Sequence, residues 1–282
     1  MPSGDTDGSV PHVRVLGAFG LRAGGQAVPL PVDSRRLVAY LAVHARPQPT
    51  AALAADLWPG IGPAPAARLL DEAVTGVDVP GLLTADDRGR RHLDENVVVD
   101  LTEAMLLVRG LSAPSTVRTV REIGCPGTAL LEADILPSWT APWLAVERER
   151  FRQLRLFALE GLSGTLTDVG RHDDAVAVAR RAVQSAPSRE RSRRALVEAL
   201  LAGGQVAEAL AEYDRFQQLL RNSVGATADS ELDRLLAPLD SGWPLGPGLH
   251  RPVQRWGVGM PGAARPDRRG RRLAAGSPAS GR

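Results

Sequence analysis

The chain has 282 residues, which is enough for two ordinary domains. Hydrophobic residues make up 44% of it and provide for a packed core, but no apolar run reaches the roughly 18 residues that crossing a bilayer requires. The N-terminal residues lack the basic and apolar stretches of a signal peptide, and a single cysteine, Cys125, excludes an intrachain disulfide. These features predict a cytoplasmic protein that does not enter a membrane.

The charge is unevenly distributed. All 34 basic residues are Arg, and the formal net charge is +2. Residues 245–282 hold eight Arg and one acidic residue, a net charge of +7, which leaves residues 1–244 with −5. Residues 241–282 are rich in Pro, Gly and Arg and poor in aliphatic residues, so we predict a disordered basic tail there, and a disordered N-terminus over residues 1–11. The positive charge of the tail is not by itself evidence of nucleic-acid binding.

Residues 12–100 alternate between strand and helix patterns. We predict a first hairpin over His12–Leu30 and a second over Leu82–Val99. Between them we predict three helices: one over Asp33–Ala45, a short one that begins at Thr50, and one over Ala66–Val77. Asp33 and Thr50 are the expected N-caps. A strand pair, three short helices and a second strand pair form the α+β pattern of a winged helix-turn-helix. From the pattern alone, a small α+β domain of another purpose stays an equal alternative.

Residues 101–240 are predicted to be all helical. A helix is expected over Thr140–Val169, with the charged run 147–150 on a solvated face. Beyond it, Gly170 and Ala175 recur as Gly204 and Ala209, at an offset of 34 residues. That period, with a small residue early in the second helix, is typical of tetratricopeptide-like helical repeats.

Longer stretches of sequence resemble a known family. Four segments resemble the OmpR-like winged helix of bacterial antibiotic-regulatory activators: HVRVLGAFGLRAGGQAVPLP, SRRLVAYLAVHARP, ADLWPG and LLTADDRGRRHLDENVVVDL. Three later segments resemble the bacterial transcriptional activator domain (BTAD) that follows the winged helix in that family: SWTAPWLAVERERFRQLRLFALEGLSGTL, GRHDDAVAVARRAVQSAP and GGQVAEALAEYDRFQQLLRNSVGA. The resemblance covers residues 12 to 238. It implies binding to double-stranded promoter DNA, recruitment of RNA polymerase and regulation of processes such as secondary metabolism.

By the same resemblance, Ala66–Val77 is the DNA-recognition helix and Leu82–Val99 is the wing. Relatives usually show S-L-R-x-A-L-W-R-L in that helix, but here Asp71 replaces the first Arg and Gly76 the second. The groove face would consist of Arg68, Asp71, Glu72, Thr75 and Gly76. Two carboxylates on that face would repel phosphates, and an interior Gly76 would weaken the helix by about 1 kcal/mol relative to Ala.

The predicted DNA contacts lie on three elements. They are Arg35 and Arg36 on the first helix, Arg68 and Thr75 on the third, and Arg88, Arg90 and Arg91 in the wing. For the arginines of the first helix and the wing, an ordinary surface role is an equal alternative. His12 to Asp100 contains nine Arg and ten acidic residues, so we expect weak neutralisation of DNA phosphates.

Motifs for other chemistry are missing from the sequence. The five His are scattered without metal-ligand spacing, and neither phosphate-binding glycine motif occurs. We therefore predict no cofactor, no metal and no catalytic residue, and a protein that is not an enzyme. Two functions stay open: a DNA-binding transcriptional regulator, and a protein-interaction regulator whose winged helix has lost DNA binding. In either case the helical repeats would bind a protein partner.

The composition of residues 241–282 yields a first test. Limited proteolysis should remove this tail before any other segment, because exposed chain without a core is cleaved first. The melting temperature of the trimmed protein should equal that of the full chain. A drop of several degrees would show that the tail is part of the core.

Overall fold

The computed structural model describes residues 10–111, 125–224, 232 and 235–236. The predictions for residues 1–9 and for the tail lie outside the described residues. Within them, a small sheet, three helices and a hairpin are followed by a stack of helices. The predicted fold class, an α+β winged helix followed by a helical repeat, is confirmed.

A four-stranded sheet opens the fold. It is formed by β1 (His12–Arg14), β2 (Gly20–Ala23), β3 (Gln26–Ala27) and β6 (Val98–Val99), in the order β3-β2-β1-β6. β1 and β2 are antiparallel, so the chain reverses once at Gly17 and again at Gly24 and Gly25. The single hairpin predicted for His12–Leu30 is therefore wrong: there are two. β6 was assigned to the second hairpin, but it pairs in parallel with β1.

Three helices and a two-stranded hairpin form the winged helix. They are α1 (Val32–His44), α2 (Thr50–Leu57), α3 (Pro63–Thr75), β4 (Leu83–Ala85) and β5 (Arg91–Leu93). Asp33 and Thr50 lie inside their helices and not at the predicted N-caps, which Pro31 and Pro49 occupy. α3 begins three residues earlier than predicted, because a proline fits the first turn of a helix.

The three helices share one apolar core. Its buried side chains are Leu37, Tyr40 and Leu41 of α1, Leu53, Ala54, Leu57 and Trp58 in and after α2, and Ala66, Leu70 and Ala73 of α3. The Ser34 hydroxyl also donates a buried hydrogen bond to the Ala73 carbonyl at 2.8 Å. This packing fixes α3 against α1.

Gly76 lies where α1 and α3 come closest. α3 ends at Thr75, and the Gly76 N–H donates to the Glu72 carbonyl at 2.9 Å as the helix C-cap. A Cβ at this position would overlap the Ser34 hydroxyl and lie 3.4 Å from Cγ of Pro31. The prediction that Gly76 weakens a helix interior is wrong, since the residue closes the helix and makes room for Ser34.

Asp100 connects the sheet to the helical part. It begins α4 (Asp100–Leu111), and its carboxylate accepts from the N–H groups of Val15, Leu16 and Leu101 at 2.8–2.9 Å. The first two of these groups lie just beyond β1. One side chain thus satisfies the end of a strand and the start of a helix.

A second connection lies on the same strand end. The Gly17 N–H donates to the Asp134 carbonyl at 2.8 Å, and the Leu136 N–H donates to the Val15 carbonyl at 2.9 Å. The hydrophobic core continues from the sheet through α4 into the later helices. The domain boundary between residues 100 and 101 stays a prediction, because this core crosses it.

The helical part, which starts with α4, has a 3-10 helix (Cys125–Leu131) as its next described element. It continues with α5 (Trp143–Asp168), α6 (His172–Ser185), α7 (Glu190–Ala202) and α8 (Val206–Val224). Gly170 and Gly204 both adopt left-handed backbone, with φ of +78° and +74°, and Ala175 and Ala209 are fully buried. The 34-residue repeat therefore corresponds to two successive helix hairpins.

Two arginines of α5 hold the segment that precedes it. Arg148 donates through Nε to the Ile135 carbonyl at 2.7 Å and through Nη2 to the carbonyls of Leu136 and Trp139. Arg155, with a side chain only 2% exposed, donates to the Ala133 carbonyl and pairs with Asp134 at 2.7 Å. The predicted solvated role of the charged run is wrong for Arg148.

We expect Asp100→Ala to lower the free energy of unfolding by about 2–3 kcal/mol, because it leaves three N–H groups without their charged acceptor. Glu103→Ala is the control: it removes an exposed carboxylate from the same helix and should change stability by less than about 0.5 kcal/mol. Urea denaturation measures both. Equal effects of the two variants would contradict the connecting role of Asp100.

Gly76→Ala should lower the free energy of unfolding by about 1–3 kcal/mol, the usual cost of overpacking. If Gly76 lay in a helix interior, replacing it with Ala would instead raise the free energy of unfolding. Adding Ser34→Ala removes the hydroxyl that the new methyl group meets. In thermal melts, the double variant should therefore lose less stability than the sum of the losses of the two single variants. If the losses were strictly additive, the contact between the new methyl group and the Ser34 hydroxyl would be excluded as the cause.

Candidate nucleic-acid interface

The outward face of α3 carries mixed charge. Ala66, Leu70 and Ala73 are buried, which leaves the side chains of Arg68, Asp71, Glu72 and Thr75 exposed over two turns. Arg68 makes no ion pair with any described residue, whereas the Thr75 hydroxyl donates to the Asp71 carbonyl at 2.8 Å within its own helix. The face therefore offers one unengaged cation beside two carboxylates.

The tip of the β4–β5 hairpin is organised by Asp86. Its carboxylate accepts the backbone N–H groups of Arg88 and Arg90, both at 2.9 Å, and the Arg90 side chain at 2.6 Å. These hydrogen bonds, first among them that from the Arg90 backbone, hold the pKa of Asp86 below its ordinary value. Arg88 is exposed and has no ion-pair partner in the described parts of the chain, while the charge of Arg90 is compensated.

The hairpin is fixed to the helices at its base. Gln48, in the loop between α1 and α2, exchanges two backbone hydrogen bonds of 2.8 Å with Arg91 of β5. Leu83 and Leu93 pack against the core of the three helices. The half-buried Arg91 thus lies close to the helices, whereas Arg88 lies at the tip.

The two predicted arginines of α1 have partners inside the molecule. Arg36 donates to the Leu57 carbonyl, pairs with Asp33 at 3.5 Å and lies 5.9 Å from the centre of the Trp58 ring. The guanidinium of Arg35 lies 5.8 Å from the ring of Trp139, in the segment before α5. Of the seven predicted contacts, Arg68 and Thr75 share the face of α3, the three wing arginines share the hairpin, and Arg35 and Arg36 join neither group.

Sequence reasoning did not identify the aromatic contacts behind this surface. The Tyr40 hydroxyl donates to Asp56 at 2.5 Å, and the Tyr40 ring stacks on His44 with centroids 3.9 Å apart. Trp143, at the start of α5, meets Tyr40 edge-on at 5.0 Å. Burial, assisted by the hydrogen bond to Asp56, raises the pKa of Tyr40 above its ordinary value. The i, i+4 spacing of Tyr40 and His44 could have suggested the stack, but nothing local could have suggested the contact with Trp143.

Asp86 was also missed as a positioning residue. An aspartate ahead of a turn glycine commonly binds the backbone two residues on, so the string Asp86-Asp87-Arg88-Gly89 held the signal.

No helix among the described residues is long and apolar enough to cross a membrane. No group of three or more His, Cys, Asp or Glu side chains in these ranges is placed to hold a metal ion.

Comparison with known proteins agrees with this architecture. Residues 114–239 match the family described as the bacterial transcriptional activator domain. Over 213 residues the chain is 30% identical to regulatory protein AfsR of Streptomyces coelicolor, which covers 67% of this chain. The chain spans only about a fifth of AfsR, 21% of its length.

A solved structure shows the same fold. Mycobacterium tuberculosis EmbR, in complex with a low affinity phosphopeptide, aligns with a TM-score of 0.61 at 20% identity. The alignment covers 84% of this chain and 66% of the EmbR chain. The chain thus has a winged helix followed by a helical region, of which residues 114–239 match the bacterial transcriptional activator domain.

Proposed function

We propose that this chain is a transcriptional regulator that binds double-stranded promoter DNA through its winged helix. The observation that carries the proposal is the pair of exposed arginines, Arg68 on α3 and Arg88 at the hairpin tip, which have no ion pairs within the described chain. Both elements are fixed to one rigid helix core. The regulatory relative AfsR supports the same class of function.

The proposed docking follows the usual geometry of a winged helix. α3 enters the major groove, where Arg68 can bind a guanine edge or a phosphate, and the hairpin places Arg88 against the adjacent backbone or minor groove. Because Arg35 and Arg36 are engaged with Trp139 and with the end of α2, they contribute less to this interface than the sequence suggested.

Electrostatics makes the binding weak and favours selectivity. Asp71 and Glu72 repel phosphates, but a carboxylate on a recognition helix accepts a hydrogen bond from the cytosine amino group. Two phosphate contacts correspond to a slope of about −2 when the logarithm of affinity is plotted against that of salt concentration. The winged helix alone should therefore show a shallow salt dependence.

The helical part supplies the second half of the proposal. Its stacked helix hairpins form an extended surface of the type that binds proteins, and the matched activator domain covers this region. We infer that it binds RNA polymerase or another protein partner. A cytoplasmic location and the lack of enzymatic activity stay predictions that follow from this role.

A second function is favoured by one observation. Two of the four exposed side chains that define the face of α3 are carboxylates, and Asp86 compensates Arg90. A regulator that acts only through protein contacts would keep the fold of the winged helix without needing a cationic surface.

Fluorescence anisotropy with a labelled DNA duplex, bound over a range of salt concentrations, separates the two functions. Arg88→Ala and Arg68→Ala should each weaken binding, and Asp71→Arg with Glu72→Ala should tighten it by replacing repulsion with attraction. The matched control is Arg150→Ala, which removes a 67% exposed arginine from α5 and should leave affinity unchanged. The DNA affinity of residues 1–240 should fall only slowly as the salt concentration rises. That of the full chain, with its basic tail, should fall more steeply.

Several outcomes would contradict parts of the proposal. If Arg88→Ala abolishes binding while the Asp71 and Glu72 substitutions change nothing, α3 does not enter the groove. Nanomolar, sequence-specific binding by residues 1–240 at physiological salt would show that the carboxylates do not weaken the interface. If residues 1–240 bind no duplex and all variants behave alike, DNA binding through the winged helix is contradicted and the protein-interaction function is favoured.

A further inference from the structure

One exposed face of α5 takes no part in the proposed DNA interface. Its large apolar side chains are Val146, 72% exposed, and Phe157, 39% exposed. Arg150 and Gln153 lie between them in the sequence and are also exposed. Steps of four, three and four residues place these four side chains on one side of the helix, over roughly 16 Å of its length. We call this surface the α5 stripe.

Arg191 of α7 lies against the α5 stripe. Its guanidinium lies 5.3 Å from the centre of the Phe157 ring, and its Nε lies 3.2 Å from Oε2 of Glu160. These contacts hold the positive charge beside the exposed ring. The Arg191 side chain stays 51% exposed, so its terminal nitrogens can receive a carboxylate from outside the chain.

The buried carboxylate of Glu160 does not need Arg191 for its compensation. Its side chain is 3% exposed, pairs with Arg189 at 2.7 Å and accepts the Ser192 hydroxyl at 2.7 Å. Arg189 also donates to the amide oxygen of Gln153 at 3.0 Å. Because Glu160 is satisfied by these groups, the second cation adds positive charge to the surface.

The acidic residues around the α5 stripe have partners within the chain. None of the four positions of the stripe is acidic. Beside it, Glu149 pairs with Arg152 at 2.8 Å. Glu147 lies 3.8 Å from Arg150, near the outer limit of an ion pair. On α7, Glu190 is engaged by another group of the chain. The stripe and Arg191 therefore combine exposed cations with exposed apolar side chains, which complement carboxylates that stand next to apolar residues.

We propose that the α5 stripe binds an acidic amphipathic helix of a protein partner. A helix repeats its side chains at the same steps of three and four residues, so its apolar residues can contact Val146 and Phe157 together. Carboxylates that flank those residues can pair with Arg150 and Arg191. A DNA backbone would meet the two arginines but has no counterpart for the apolar side chains. The inference rests on the proposed function, in which the helical part binds a protein.

The test follows Phe157 itself by fluorine NMR in the full chain. The chain has four phenylalanines, so para-fluorophenylalanine gives four signals, and Phe157→Leu identifies the signal of Phe157. The probe is a capped synthetic helix with leucine at steps of four, three and four residues and glutamate at the flanking positions. It should shift the Phe157 signal saturably. Because only this signal is followed, binding of the acidic probe to the basic tail does not contribute.

Charge variants assign the contact to Arg191. Arg191→Gln should weaken the binding measured at Phe157 about five- to ten-fold, because a carboxylate of the probe loses its cation. Arg180→Gln is the matched control: it removes a 54% exposed arginine that also pairs with a glutamate, and it should have no effect. A probe with glutamine for glutamate should bind at least about five-fold more weakly. Melting curves establish that each variant is folded.

Three results would overturn the proposal directly: no shift of the Phe157 signal, equal binding of the acidic and neutral probes, or equal losses in the two arginine variants. A shift that follows protein concentration without probe would assign the stripe to a second copy of the chain, and a shift caused by a DNA duplex would assign it to nucleic acid. Either result would also overturn it.

DNA binding of the same variants separates this inference from the proposed function. The DNA affinity of Arg191→Gln, measured by anisotropy, should equal that of the unchanged chain. If the unchanged chain binds DNA but not the probe, this inference alone is wrong. If it binds the probe but not DNA, only the DNA interface is contradicted.

Discussion

Backbone groups at the end of β1 must find hydrogen-bond partners outside the four-stranded sheet, and the way they do so connects the sheet to the helical part. Asp100 accepts the N–H groups of Val15 and Leu16, while Leu136 donates to the Val15 carbonyl. Unpaired buried backbone groups are costly, so these contacts bind the helical part to the first strand. Arg148 and Arg155 complete the junction, because they hold the irregular segment that supplies Leu136.

Local patterns predicted the elements better than the pairings between them. The spacing of apolar residues located the helices within three residues at their starts, and the recurrence of Gly170 as Gly204 indicated the two helix hairpins. β6 has only two residues, too few for a strand period, and its parallel partner lies 86 positions earlier in the chain. The role of Arg148 was hidden for a similar reason: its acceptors are carbonyls of a segment without regular structure.

The candidate interface shows the same division. Helical period alone identified the exposed face of α3, and the turn chemistry of Asp86 could have shown that Arg90 is compensated. The partners of Arg35 and Arg36 could not be predicted in this way, since Trp139 and Trp58 meet them only in the folded chain. Counting basic residues therefore overestimated the positive charge available to DNA.

α1 is the element on which these contacts converge. It holds α3 through the hydrogen bond of Ser34 and the space left by Gly76, and it meets α5 where Tyr40 contacts Trp143. On the side of the sheet, its Arg35 lies over the ring of Trp139. α3 and the helical part thus each contact α1 directly. Because packed side chains transmit displacements through contact, any shift of α1 alters the surroundings of both.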